Sequence, residues 1–223
     1  VERIPEPELM DRPENAEAYA GADFSEPNAQ FIALFSDKFP RFKGERIVDL
    51  GCGPADITLQ LAALYRQAKV TGVDGAEAML DIARKTVARN SDMAIRVEIL
   101  KWHIGKESCP LAAQAYDAVV SNSLLHHLAD PLLLWEAVRA CAAAGAAILV
   151  MDLFRPATAV EADWIVDTYA AGEPEVLRSD FRNSLHAAYR PEEIAAQLAS
   201  VGLETLQIET VSDRHLIVFG SLA

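Results

Sequence analysis

The chain switches repeatedly between two apolar periods, and this alternation narrows its possible folds more than any single residue does. Five short runs, RIVDLG (46–51), KVTGVD (69–74), AIRVEIL (94–100), YDAVVSNS (116–123) and AAILVMDLF (146–154), are nearly continuous in apolar residues and rich in β-branched ones. Near-continuous apolarity at that length marks strands covered on both faces, the condition of a parallel sheet. Between the runs, apolar residues recur at helical spacing. Leu59, Leu61 and Leu64 follow the first run, Met79, Leu80, Ala83 and Val87 the second, and Leu134, Val138 and Cys141 the fourth. Alternating strands and helices predict an α/β fold with a doubly wound sheet.

Both ends add to this pattern. Residues 28–39 place Phe31, Leu34, Phe35 and Phe39 on one helical face, an extra helix ahead of the first strand. Near the other end, RPEEIAAQLASVG has Pro191 and two glutamates where a helix starts and Gly202 where it should stop. LQIETVSD and HLIVFGSLA follow, joined by too few residues for a parallel crossover, so they predict an antiparallel hairpin at a sheet edge. Residues 155–190 form a long insertion after the fifth strand, partly helical, with Trp164 and Tyr169 expected in the core. Insertions of this kind over the carboxyl end of a sheet serve as lids or substrate walls.

The bulk properties set limits. A formal charge of −13 over 223 residues argues against a nucleic-acid backbone as partner. No apolar stretch approaches the roughly 18 residues that span a bilayer, and the acidic, proline-punctuated start is unlike a signal peptide. Cys52, Cys109 and Cys141 have no metal-ligand spacing and read as reduced thiols, which predicts a cytoplasmic protein without a metal.

The first strand runs into VDLGCGPAD (48–56). A glycine turn after a strand suits a nucleotide-like ligand, and the dinucleotide fingerprint would seat a pyrophosphate at the following helix. Gly51 and Gly53 match that fingerprint, but its third glycine is Asp56, read here as the helix N-cap. Asp49 puts a second acid beside the turn. A ligand with a cationic head and no phosphate resolves both mismatches. S-adenosylmethionine is such a ligand, with a net charge of +1. Asp74 ends the next strand, where a carboxylate can accept both ribose hydroxyls.

VDLGCGPAD, VTGVDGAEAML and YDAVVSNSLLHHLADP together resemble the successive motifs of the Rossmann-like, class I S-adenosylmethionine-dependent methyltransferases, in particular their small-molecule branch with the quinone-biosynthesis enzymes. The resemblance covers roughly residues 45 to 155. It implies a seven-stranded sheet, six strands parallel and the seventh antiparallel. The sequence shows no internal repeat or low-complexity linker, which predicts a single domain over 1–223. Within it, 1–44 is an N-terminal helical cap, 45–154 the cofactor-binding core, 155–190 a lid or substrate insertion, and 191–223 the final helix and hairpin. The resemblance also implies cofactor contacts at Asp49, Gly51, Gly53, Asp74, Gly75, Met79, Ser121 and Asn122. The acid that the family often carries after the third strand is missing from LKWHIG, so the adenine is expected near His103 and Ile104, with Trp102 either alongside it or in the core.

His126 and His127 are expected to point in different directions. By resemblance to phosphoethanolamine methyltransferases, His127 is the catalytic candidate, a base for a nucleophile that arrives protonated. Tyr19 is its N-terminal partner or a cover over the cofactor. The alternative is that His127 packs against the cofactor or caps the next helix. Asp152, Arg155, Arg182, Asn183 and Tyr189 are candidates for the substrate wall. Their arginines either clamp an anionic acceptor or pair with the insertion's own acids. The expected partner is a small-molecule methyl acceptor, and the chain is expected to act as a monomer or homodimer. The rival functions are a nicotinamide-dependent oxidoreductase and a non-catalytic module that binds S-adenosylmethionine.

Overall fold

The computed structural model describes residues 1–6 and 25–222, and in them the alternation becomes a seven-stranded sheet with helices on both faces. In chain order the elements are α1 (Ser25–Lys38), β1 (Arg46–Leu50), α2 (Asp56–Leu64), β2 (Lys69–Asp74), α3 (Glu77–Ala88), α4 (Ser91–Ala94), β3 (Val97–Lys101) and β4 (Tyr116–Asn122). A 3-10 turn (Leu125–His127) follows, then α5 (Leu132–Cys141), β5 (Ala142–Leu153), α6 (Ala159–Tyr169), α7 (Glu175–Ala187), α8 (Pro191–Ser200), β6 (Gln207–Thr210) and β7 (His215–Ser221).

The strand order is β3-β2-β1-β4-β5-β7-β6. β1 pairs in parallel with β2 and β4, β2 with β3, and β4 with β5, while β7 runs antiparallel to both β5 and β6. Six strands therefore share one direction, as the resemblance implied. The order reverses between β1 and β4, the switch point where ligands of open α/β sheets sit.

Successive residues of a strand face opposite layers. Ile47 on β1 joins Phe31 and Phe35 of α1 and Leu61 of α2, whereas Val48 and Leu50 join Trp135 and Val138 of α5 and Leu198 of α8. Phe31 and Phe35 are fully buried, each worth about 1.5–3 kcal/mol of apolar burial. α8 begins as expected: Pro191 stands in its first turn and Glu193 Oε2 accepts from Arg190 N at 2.8 Å. Gly202 follows at φ +73°.

Three details differ from expectation. The run at 94–100 loses its start to α4, where the Asn90 side chain accepts from Met93 N and caps the turn, so β3 begins at Val97. β5 begins at Ala142, four residues early, with an irregular register opposite Tyr116 and Ala118. Within the insertion, α6 buries Ala162, Ile165 and Val166 against Leu185 and Ala188 near the end of α7, which turns Trp164 outward at 56% exposure. Tyr169 is also exposed, its hydroxyl donating to Asp213 at 2.6 Å with the Arg214 guanidinium 3.3 Å over its ring. Among the described residues, no helix is long and apolar enough to cross a membrane.

Candidate functional site

The turn after β1 is built from backbone conformations that most residues avoid. Gly51, Gly53 and Ala55 all have positive φ, at 76°, 52° and 75°; for Ala55 that costs about 1–2 kcal/mol. Gly51 N and Cys52 N both donate to Val73 O, at 2.8 and 2.9 Å, and so tie the turn to β2. A Cβ on Gly51 would stand 2.9 Å from the Leu124 side chain, whereas one on Gly53 would meet nothing within 4 Å. Gly53 therefore keeps clear a space beside the backbone, a cradle that a side chain would fill. Asp56 is not the expected N-cap: Ala55 holds that position, and Asp56 is the first helical residue. A cavity of about 50 Å³ lies here, lined by Asn28, Asp49, Gly51, Gly53, Asp56 and Asn122 among others, with no Lys or Arg among the described residues.

Asp49 lies below this cavity, 1% exposed, accepting from the Thr58 hydroxyl at 2.6 Å. Burial pushes its carboxyl up to about 7, and the Asp74 charge adds to the effect. Asp74, half-buried at the end of β2, accepts from Gly53 N at 2.9 Å and from Ala76 N at 2.8 Å. Burial raises its pKa as well, against those backbone hydrogen bonds. A carboxylate oxygen has a second lone-pair direction, so both oxygens remain able to accept from a diol.

Beyond Asp74 the chain forms a ledge. An ideal Cβ on Gly75 would lie 3.4 Å from His103 Cα and ring Cδ2, an ordinary contact distance, so the His103 ring packs directly beside this backbone. His103 Nε2 is buried without a partner, an unmet hydrogen-bonding group at the end of β3. Trp102 and Ile104 belong to the core, and Met79 is buried with Ala76. The acid missing after β3 arrives from four residues further on: Glu107 Oε2 accepts from His103 N at 3.2 Å. Asn122 lines the cavity, but Ser121 does not reach it. Its hydroxyl is buried, donating to Leu50 O at 2.7 Å, and ties β4 to β1. An acid-lined turn, a cleared cradle and an orphaned ring nitrogen fit a cationic nucleoside and oppose a diphosphate.

The 3-10 turn after β4 carries the two histidines, and here the expectation of diverging rings fails. Their centroids are 4.0 Å apart, tilted by 40°, each imidazole drawn to its own carboxylate. His126, 3% exposed, contacts Asp152 Oδ1 through Nδ1 at 2.5 Å. Burial works against its charged form, but the Asp152 charge and hydrogen bond prevail and raise its pKa. His127 Nδ1 lies 2.6 Å from Glu6 Oε2. Burial works to raise the Glu6 carboxyl, yet the His127 hydrogen bond and charge, with Ser184, hold it below the usual range. One ligand atom from each of Glu6, His126 and His127 lies within 4.8 Å of the others, a grouping that sequence spacing did not reveal.

Most of the expected substrate wall is structural. Asp152 is consumed by His126 and by Leu153 N. Arg155, 6% exposed, donates to Ala188 O at 2.7 Å and pairs with Glu193 at 2.6 Å. The buried Tyr189 donates to Leu128 O at 2.8 Å. Arg182 pairs with Asp163 at 2.7 Å, which is the insertion pairing with its own acids, and Asn183 is exposed on α7. Tyr19 lies outside the described residues. Sequence reasoning missed Glu6, Arg3, Asn28, Thr58 and Glu107. Only Glu107, one turn beyond the third strand, had a positional cue.

Comparison with known proteins finds methyltransferases. Residues 47–145 match the family model described as a methyltransferase domain. A ubiquinone biosynthesis O-methyltransferase of Dinoroseobacter shibae is 28% identical over 82% of this chain and 66% of its own length. A trans-aconitate 2-methyltransferase of Klebsiella pneumoniae is 36% identical over 39% of the chain and 30% of its length. The chain spans 66%, 26% and 46% of the first three curated relatives it matches. Among solved structures, the plantazolicin methyltransferase BpumL in complex with SAH superposes with a TM-score of 0.73 at 14% identity, over 96% of this chain and 92% of that one. A Haemonchus contortus phosphoethanolamine N-methyltransferase in complex with S-adenosyl-L-methionine reaches 0.71 at 16% identity, over 95% and 57%. These two structural likenesses concern the fold.

Proposed function

We propose that the chain is a Rossmann-like, class I S-adenosylmethionine-dependent methyltransferase, and that it transfers a methyl group to a nucleophilic N, O, S or C atom of a small molecule, releasing S-adenosylhomocysteine. The observation that carries this reading is the turn itself: Asp49, Asp56 and Asp74 surround a cleared glycine cradle whose cavity lining, among the described residues, includes no cation. When bound, S-adenosylmethionine supplies an electrophilic methyl carbon on a positively charged sulfur.

The residues divide the remaining work. Asp74 takes the ribose hydroxyls, and Asp49 with the Gly51–Gly53 backbone takes the charged amino-acid part. Gly75, Met79, His103 and Ile104 frame the adenine, and Asn122 lines the cleft. Alignment and water exclusion of this kind are worth on the order of 7–11 kcal/mol of barrier. His127 is the group at the acceptor side that takes a proton, since Glu6 occupies Nδ1 and leaves Nε2 for the acceptor. Residues 155–190 wall the acceptor side, and the chain works in the cytoplasm as a monomer or homodimer.

Thermal-shift titration tests the proposal. S-adenosylhomocysteine should stabilise the protein by about 2.7 kcal/mol at a hundred times its Kd, and nicotinamide dinucleotides should not. Stabilisation by the dinucleotides alone would establish the oxidoreductase instead. Binding without methyl incorporation into any component of a metabolite extract would leave a non-catalytic module.

A further inference from the structure

We infer that Glu6 is the positioning residue of a Glu6–His127 pair serving an acceptor that arrives as a protonated amine. The inference rests on the methyltransferase reading of this site and adds the acceptor's chemical class.

The first support is how Glu6 reaches its place. Residues 1–6 cross the 3-10 turn and the end of α7 as a strap anchored by Arg3. The Arg3 guanidinium donates to Ala187 O at 2.6 Å, His126 O at 3.2 Å and Leu128 O at 3.0 Å, and it lies 3.9 Å over the Tyr189 ring. Ile4 N donates to His186 O at 3.1 Å. Glu6 then ends between Ser184, whose hydroxyl donates to Oε1 at 2.7 Å, and His127, whose Nδ1 meets Oε2 at 2.6 Å. A carboxylate accepting from Nδ1 selects the tautomer with its hydrogen there and leaves the Nε2 lone pair free. This is the logic by which an acid orients a catalytic histidine. The Nδ1–Oε2 contact is that of a hydrogen bond, shorter than the roughly 3 Å or more between neighbouring ligands of one metal ion. The pair holds a proton rather than a cation.

The second support is the charge around it. Asp180 lies one helical turn before Ser184 on α7 and feels the Glu6 charge. On the donor side Asp74 feels His127, and His126 is matched by Asp152. The nearby arginines are committed: Arg3 to carbonyls, Arg155 to Glu193, Arg178 to Asp167 and Arg182 to Asp163. An anionic acceptor would meet Glu6 and Asp180 with none of these arginines free to clamp it. A phenol would develop negative charge beside the same acids. An ammonium is attracted by them and needs a base before it can react. Its proton passes to His127 Nε2. The freed nitrogen lone pair then forms the bond to the methyl carbon as the carbon–sulfur bond breaks, its electron pair leaving on a neutral thioether.

The test uses the whole chain with methyl-labelled S-adenosylmethionine and a metabolite extract. Label is expected in base-stable products retained by a cation exchanger at pH 4. Label confined to base-labile esters or neutral ethers, or no labelled amine at all, overturns the acceptor class. Failure of the underlying reading shows separately, as no stabilisation by S-adenosylhomocysteine. The positioning role is read by imidazole nitrogen NMR. His127 should carry its hydrogen on Nδ1 in the parent chain, shift toward Nε2–H in Glu6→Gln, and recover in part in Glu6→Asp. An unchanged signature in Glu6→Gln, or stoichiometric Zn²⁺ binding lost in that variant, would overturn it.

Discussion

At the proposed donor end of the cleft, contacts are local: Asp49 meets Thr58 nine residues on, and Asp74 meets Gly53 twenty-one residues back. At the proposed acceptor end, Arg3 reaches Leu128 across 125 residues and Ser184 reaches Glu6 across 178. The donor end is a strand–turn–helix whose chemistry travels with its backbone. The acceptor end exists only after the N-terminal strap, the 3-10 turn, β5 and α7 have assembled. One end is thus suited to a fixed ligand, and the other to one that varies. Four experiments sharpen or break this contrast.

The largest effect is expected at Asp49. Its carboxyl titrates near 7 in the folded chain and near 3.9 when unfolded. Below pH 4 both states hold the proton and nothing is lost. Between about 4 and 7 the unfolded chain ionises while the folded one stays protonated, so stability falls as pH rises, by on the order of 4 kcal/mol above pH 7. Asp49→Asn should therefore be more stable at pH 8, by up to about that amount, with no gain at pH 4, and should bind the donor more weakly. Urea unfolding at the two pH values checks it. Equal stability at pH 8 would mean that Asp49 ionises without cost, and the donor end would lose its built-in demand for a cation.

Asp74→Ala comes next. Removing a carboxylate that accepts two backbone hydrogen bonds and, by proposal, two ribose hydroxyls should weaken S-adenosylhomocysteine about a hundredfold by calorimetry. Unchanged affinity would move the ribose elsewhere.

Glu6→Gln should lower turnover about tenfold while leaving donor affinity within twofold, because the substitution keeps the shape and removes the charge that holds His127. A parallel loss of donor affinity would show that the two ends are one unit, and the contrast drawn between them would fail.

The same contrast explains what was legible in the sequence. The strands, their direction and the glycine turn were readable because apolar period and turn chemistry act over a few residues. Thr58 beneath Asp49 was not, since a threonine one turn into a helix is ordinary until its carboxylate partner is placed. On the acceptor side, Arg155 and Tyr189 were chosen for chemistry they can perform in a cleft. In the fold they satisfy Ala188 O and Leu128 O, carbonyls that end elements and lack helical partners. Glu6 carried no signal at all, because its role depends on the anchoring of Arg3 three residues earlier. His126 and His127 were recognised, but their convergence was not: Asp152 and Glu6 decide it, and both lie far away in sequence.

The smallest effect is expected at Arg182, and its smallness is informative. Its partner Asp163 is 56% exposed and its own side chain 34%, a geometry in which an ion pair contributes no more than about 1 kcal/mol. Arg182→Ala should leave donor affinity, turnover and the acceptor KM unchanged within twofold. A tenfold rise in acceptor KM would show that this guanidinium leaves Asp163 to hold substrate. An uncommitted cation would then face the acceptor, the acid surroundings would no longer favour an amine, and the insertion would join the donor end as a region whose chemistry was visible in the sequence from the start.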